Sequence, residues 1–303
     1  MRINGGFLLP EMRYSKQPLS FADQLQLMQD RGLIVRDPAR ALRWLKNVSY
    51  YRLSAYFLPF KRDEAFIPGT EFDDIAGLYI FDRKLRLLVL DAIERVEVAI
   101  RTAVAYEISR IGGAFGHVNP ANFAPQYRHA DLLRDIRTEE VRAGETFVQH
   151  FRNKYTSEPD LPVWMATELL SFGTISLMYR FMPPASKSAI ARPYGVPDAF
   201  FARWLHSLSY VRNVCAHHKR LWNREFAIRP PLPTRTRTVA WGPTIPHAGR
   251  IYCALAILRH LLLVVSPGCH WKARLEGLLA QHPHVCRQAM GFDPDWQSRT
   301  LWR

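Results

Sequence analysis

The sequence contains few cysteines and no long hydrophobic run. The first argues against a disulfide-stabilised secreted protein, and the second argues against a membrane-spanning helix. Four cysteines in 303 residues do not form the dense framework of a disulfide-stabilised secreted protein. We therefore expect a reduced, cytoplasmic protein. The most apolar segment, residues 251–265, is interrupted by Arg259 and His260 and is too short to cross a bilayer. We predict a buried helix there and no membrane partner.

Several catalytic and metal-binding motifs are also missing from the sequence. It has no Walker-type glycine loop, no GxSxG nucleophile elbow and no HExxH pair, so ATPase, hydrolase and metalloprotease functions have no support. A C-terminal group of sulfur and imidazole side chains does not follow the pairwise spacing of zinc sites. We therefore predict no metal and no cofactor. That group consists of Cys269, His270, His282, His284 and Cys286.

Positive charge is what the sequence has in excess. Its 41 lysines and arginines outnumber 27 aspartates and glutamates, which gives a formal net charge of +14. A surplus of this size favours polyanionic partners, with nucleic acid ahead of an anionic membrane surface.

The spacing of apolar residues is mainly helical, and alternating strand patterns are scarce. Ser20 and Asp23 predict the cap of a first helix, and Asp37-Pro38 predicts the start of a second. The longest periodic segment, residues 70–110, is about 60 Å long as a straight helix, so we expect a bend or two helices in series. Further helices are predicted at residues 47–60, 131–142, 146–154, 162–181, 198–221 and 250–290.

The most informative stretch is LSYVRNVCAHHKRLWN, which places Arg212, Asn213 and His217 within six residues. These side chains suit RNA cleavage by attack of the 2′-OH on the neighbouring phosphate. Histidine moves protons near neutral pH, and arginine stabilises charge on the phosphate. Asn213 is expected to orient the imidazole or to donate to a phosphate oxygen. Arg212, Asn213 and His217 are the predicted catalytic residues.

A single histidine does not easily act as base and acid in the same step. A two-fold dimer brings two copies of His217 and Arg212 to one cleft, so the mechanism predicts a homodimer. Residues five apart on an ideal helix are separated by about 140° around its axis. We therefore expect a kink or partial unwinding near residues 215–217, or a groove that wraps the helix.

Three further residues are candidates for supporting the motif. One is His218, which directly follows His217. Glu97 and Arg101 lie four residues apart on the long predicted helix. We interpret this pair first as a solvated or interface salt bridge, and alternatively as a group that orients Arg212 or His217.

Basic and aromatic residues near the motif are candidates for RNA contact. Arg83, Lys84 and Arg86 either follow an RNA backbone or form a charged helix face, and Arg52 either binds RNA or pairs with an acid among packed tyrosines. Trp204, Tyr210 and Trp222 either stack on bases or fill the core. Cys215 is interpreted as a small buried side chain. The predicted RNA-binding residues are Lys219, Arg220, Arg224, Arg83 and Arg52.

Five segments carry a family resemblance. They are PLSF with QL at 18–25, NVSYYRLSA at 47–55, YIFDRKLRLLVLDAIERVEVAIR at 79–101, LSFGT at 170–174, and 204–224 with RNVCAHH and RLWNR. Together these segments resemble the Abi-like proteins of bacteria, the AbiD/AbiF-type abortive infection family of the HEPN superfamily.

The resemblance implies an all-α HEPN-type helical bundle with additional helices. It implies a dimeric ribonuclease that uses Arg212, Asn213 and His217 without metal in anti-phage defence or as a toxin. Whether dimers pair further into a higher oligomer is left open by the sequence. A small non-coding RNA is an implied partner. We predict three regions, an N-terminal arm (1–18), an Abi-like HEPN domain (19–266) with the core motif 204–224 and a Pro/Arg-rich loop (229–249), and a C-terminal helical extension (267–303). The loop and the extension show no family pattern, so the resemblance implies no role for them.

Two alternatives from other functional classes remain open. One is an RNA-binding regulator that keeps the HEPN scaffold but no longer cuts. The other is an interaction domain whose helices seal a dimer, with no RNA affinity beyond what charge supplies.

Overall fold

The computed structural model describes residues 17–231 and 249–303, which contain twelve α-helices and one two-stranded hairpin. The predicted all-α class is confirmed. Nearly all of the predicted arm and most of the loop 229–249 lie outside the described residues. The helices are α1 (Phe21–Asp30), α2 (Pro38–Val48), α3 (Tyr50–Ser54), α4 (Phe72–Gly112), α5 (His129–Ala143), α6 (Thr146–Lys154), α7 (Val163–Leu169), α8 (Phe172–Phe181), α9 (Pro184–Ala191), α10 (Asp198–Ala216), α11 (Ile251–Val265) and α12 (Trp271–Gln281).

The chain divides into two compact units, one ending at Ile80 and the other comprising Phe81–Arg303. In the first unit, the Ser20 hydroxyl accepts the Asp23 N–H at 3.1 Å, and this capping box starts α1 as predicted. Asp37 caps α2 by accepting the Arg40 N–H at 2.8 Å, and Pro38 follows it, as predicted. The strands β1 (Lys61–Arg62) and β2 (Ala65–Phe66) pair antiparallel.

The predicted helix at 47–60 is wrong. Ser49 adopts a left-handed backbone conformation with φ of 70°, which ends α2, and the following helix α3 spans only Tyr50–Ser54. A 3-10 turn at Leu58–Phe60 then leads into β1. The turn at Ser49 thus separates this segment from α2, and a 3-10 turn stands in place of the last part of the predicted helix.

Helix α4 is continuous over 41 residues, so the prediction of two helices in series is wrong. Val96, Ile100 and Val104 are fully buried and lie at the four-residue spacing of one helix face. The helix ends at Gly112, and Gly113 then takes a positive φ of 71°. One unbroken helix therefore carries both Asp82 and Glu97 in the second unit.

The second unit is built around α10 and α11. Helix α10 packs most extensively against α8, and also contacts α9 and α11. Buried residues occur on almost every side of α11, which confirms the predicted buried helix. The predicted helix 162–181 is divided into α7 and α8, because Ser171 caps α8 by accepting the Thr174 N–H at 3.2 Å. Within the described residues, no helix is both long and apolar enough to cross a membrane.

Candidate functional site

Helix α10 ends inside the Arg212–His217 motif, five residues earlier than predicted. His217 is the C-cap, and His218 takes a left-handed conformation with φ of 54°. The N–H groups of His218 and Lys219 donate to Cys215 and Val214 carbonyls, each at 3.0 Å. These two bonds form a Schellman cap, in which glycine usually takes the left-handed position. The helix therefore ends here, in place of the kink or partial unwinding expected near residues 215–217.

Glu97 joins Arg212 to a buried arginine of α4. One carboxylate oxygen of Glu97 lies 3.9 Å from Arg212 Nε, and the other accepts from Arg101 at 2.8 Å. Arg101 also donates to the carbonyl groups of Thr167 and Leu170, at the end of α7. The Glu97 carboxylate therefore lies at ion-pair distance from Arg212, beyond hydrogen-bond length, while it hydrogen bonds to Arg101.

The interpretation of Glu97 and Arg101 as a solvated pair is wrong. Their side chains are only 13% and 10% exposed, because α7 covers this part of α4. They line a cleft of about 550 Å³ together with Arg212, Val98 and Glu168. The Arg212 side chain is 39% exposed, so it remains accessible from the cleft.

Asn213 and His217 lie on the exposed surface at the end of α10. The Asn213 side-chain oxygen accepts from Arg212 at 3.4 Å, and its backbone carbonyl accepts the His217 N–H at 3.0 Å. Within the described part of one chain, the Arg212 guanidinium and the His217 imidazole do not hydrogen bond to each other. The fold thus gathers Arg212, Asn213 and Glu97, and leaves the imidazole facing solvent.

Asp82 is an important residue that the sequence analysis missed. Its carboxylate is completely buried and accepts the backbone N–H groups of Leu221 and Trp222. It also pairs with Arg86, whose guanidinium lies 3.5 Å from the Lys219 carbonyl. These contacts fix the chain directly after the motif. The run of charges FDRKLR was the available signal, but it resembles an exposed helix face.

A comparison with family models matches residues 43–223 to Abi-like proteins. The chain belongs to the Abi-like protein family. The matched range contains Asp82, Glu97 and the whole Arg212–His217 motif, so the geometry described above lies within the part of this Abi-like protein that defines its family.

A comparison with curated proteins finds relatives that match only part of the chain. Probable glycine dehydrogenase (decarboxylating) subunit 2 of Saccharolobus islandicus, from strains M.14.25 and M.16.27, is 28% identical over 127 residues. The match spans 42% of this chain and only 24% of each relative. At that identity and coverage, the likeness assigns no activity to this Abi-like protein. No solved structure matches it.

The predicted RNA-binding residues of this Abi-like protein occupy different surroundings. Lys219 and Arg83 are exposed, and Arg220 and Arg224 are half-buried. Arg52 is exposed in the first unit. The suggestion that Arg86 follows an RNA backbone is wrong, because its side chain is 5% exposed and paired with Asp82.

Residues next to the motif mainly support the core. Trp204 and Trp222 are buried, whereas Tyr210 is half-buried with its ring edge-on to Phe226. Cys215 is also buried, as interpreted, and burial raises the pKa of its thiol to about 12. A neutral thiol is a poor nucleophile. The described segments contain no group of three or more His, Cys, Asp or Glu side chains that fits a metal ion.

Proposed function

We propose that this Abi-like protein is a metal-independent endoribonuclease that acts in abortive infection or as a toxin. The observation that carries the proposal is the end of α10. There, the Arg212 guanidinium lies beside Glu97 in a cleft, and Asn213 and the exposed imidazole of His217 follow on the same chain segment. A permanent cation and a titratable imidazole are the groups that transesterification of RNA needs.

In the proposed reaction, the substrate 2′-oxygen attacks the adjacent phosphorus. One His217 imidazole accepts the 2′-OH proton while the O2′–P bond forms. A protonated imidazole donates to the 5′-oxygen as the P–O5′ bond breaks, which leaves a 2′,3′-cyclic phosphate and a 5′-OH. Arg212 stabilises the negative charge on the phosphorane oxygens, because a planar guanidinium can donate two parallel hydrogen bonds to them. Glu97 acts as a positioning residue for Arg212.

This step uses two imidazoles, and one chain supplies one His217. We therefore include a homodimer in the proposal, because a two-fold axis brings a second copy of the motif to the same cleft. The surface beside Arg212 supports an interface there. Leu87 and Val98 on α4 are 52% and 56% exposed, and Val98 lines the same cleft as Arg212. We place the interface over this face of α4, because burial against a partner would remove these two apolar side chains from water.

The test is cleavage of labelled single-stranded RNA by purified protein in EDTA. Wild type is expected to produce fragments ending in 2′,3′-cyclic phosphate, and both Arg212→Ala and His217→Ala are expected to lose at least about 100-fold in rate. His270→Ala is the matched control, because His270 is also exposed but precedes α12. Overexpression of wild type in cells should arrest growth, and His217→Ala should relieve the arrest.

Equal cutting by wild type, Arg212→Ala and His217→Ala across several RNAs would overturn the enzyme proposal. Salt-sensitive RNA binding without product, preserved in His217→Ala, would instead support the RNA-binding regulator. A small non-coding RNA partner is part of the same proposal. It predicts that one RNA species co-purifies with His217→Ala in a defined ratio to protein.

A further inference from the structure

A second cleft lies along the first half of α10, and it shares no lining residue with the cleft that contains Glu97 and Arg212. It has a volume of about 710 Å³ and runs between α8, α9, α10 and the segment at 227–229. Its charged and titratable lining consists of Arg180, Lys187, Asp198, Arg203, His206 and Arg229. We call it the basic groove.

Positive charge predominates in the basic groove. Four cationic side chains face a single carboxylate, Asp198, among the lining residues. Asp198 lies 3.8 Å from Lys187 and also accepts the Ala199 N–H at 2.8 Å at the start of α10. Arg229 pairs with Glu225 at the rim. Arg180 and Arg203 are exposed and carry no ion pair among the described residues, so the groove keeps uncompensated positive charge.

The basic groove shares one face of α10 with Asn213 and His217, two of the three predicted catalytic residues, whereas Arg212 lies on the side of the cleft lined by Glu97. Arg203, His206, Tyr210, Asn213 and His217 follow one another at steps of three or four residues, which places them on one side of the helix. All five are exposed or half-buried. The rise of an α-helix separates Arg203 from His217 by about 21 Å, a distance that several nucleotides of single-stranded RNA span.

We propose that the basic groove binds the phosphodiester backbone of single-stranded RNA and leads the strand along α10 to His217. This inference rests on the proposed function. Arg180 and Arg203 bind successive phosphates, and the half-buried ring of Tyr210 provides an apolar surface between them and Asn213. The groove is separate from the residues predicted from the sequence to bind RNA.

The test is the salt dependence of RNA binding by the double variant Arg180→Gln/Arg203→Gln. Affinity for a labelled single-stranded RNA of 20 nucleotides is measured by fluorescence anisotropy at several salt concentrations, on a His217→Ala background that prevents cutting. Loss of two phosphate contacts should weaken binding about tenfold at low salt. It should also reduce the slope of log affinity against log salt by about 1.4.

The control is Arg128→Gln/Arg134→Gln, which removes the same charge from side chains that are 84% and 65% exposed at α5. It should leave the slope nearly unchanged. An unchanged slope in the groove variant, or an equal reduction in the control, would overturn the proposal. If the salt slope falls only in the groove variant and the wild-type protein does not cut RNA, the result supports RNA binding in the basic groove. It then rejects only the nuclease proposal.

Discussion

The carboxylate of Asp82 accepts the backbone N–H of Trp222 at 2.6 Å, although 140 residues separate them along the chain. The same carboxylate accepts the Leu221 N–H, so α4 holds the segment that follows His217 and His218. Hydrogen bonds to a buried charged group are stronger than neutral ones, and they fix the position from which the motif leaves α10.

We predict that Asp82→Asn lowers the free energy of unfolding by about 3 kcal/mol, because it removes the negative charge from beside the buried Arg86 guanidinium. Urea denaturation followed by circular dichroism measures the change. Asp91→Asn is the control, since that carboxylate pairs with Arg95 and Arg274 at the surface and should cost at most about 1 kcal/mol. Similar losses in the two variants would show that Asp82 does not anchor this segment.

Glu97→Gln should slow RNA cleavage by about 10- to 100-fold with little change in KM, because misplacement of a catalytic group mainly raises the barrier of the chemical step. Single-turnover and steady-state kinetics separate the two effects. Glu107→Gln is the matched control, as Glu107 is a buried carboxylate of the same helix that pairs with Arg110. A comparable rate loss in the control would indicate a general effect on α4 rather than positioning of Arg212.

Val98→Asp is expected to weaken the proposed dimer at least about 100-fold, because an interface that forms over it would bury an unpaired carboxylate. Sedimentation equilibrium measures the dimer, and the cleavage rate should fall with it. The control Val141→Asp changes a side chain that is 87% exposed on α5 and should remain dimeric. A Val98→Asp protein that dimerises and cuts like wild type contradicts an interface on this face.

Stability should fall as the pH drops from about 7 to 4, partly because of His117. This residue is buried, and burial lowers the pKa of its imidazole to about 4. The unfolded chain binds the proton near the ordinary value of about 6.5, so between these two pKa values protonation favours unfolding. The shift corresponds to about 3 kcal/mol, lost as the pH falls through that range.

Denaturation midpoints across this pH range check the prediction. His117→Leu should flatten the pH profile, whereas the exposed His270→Ala should retain the wild-type slope. An unaltered profile in His117→Leu would assign the acid sensitivity to other groups. His260 and His282 are the first to examine, because burial also lowers their pKa values.

Local chemistry allowed much of the helical framework to be predicted. The caps at Ser20 and Asp37 and the buried character of α11 depend on neighbouring residues or on overall apolar content, and the structure confirms them. The errors at Ser49 and at the end of α10 have a common cause. Non-glycine residues adopt a left-handed backbone there, and the sequence gives little sign of that conformation because glycine normally marks it.

By itself, the sequence determined the helical class, the positive charge and which residues are chemically capable of acting on RNA, because these follow from composition and from short-range spacing. Only the tertiary structure decided that Glu97 lies beside Arg212, that Arg86 is buried against Asp82 and that α10 lines a basic groove. Each of these depends on residues brought together from distant parts of the chain. Burial then determines whether a charged side chain is an internal support or an accessible group that can bind an anion.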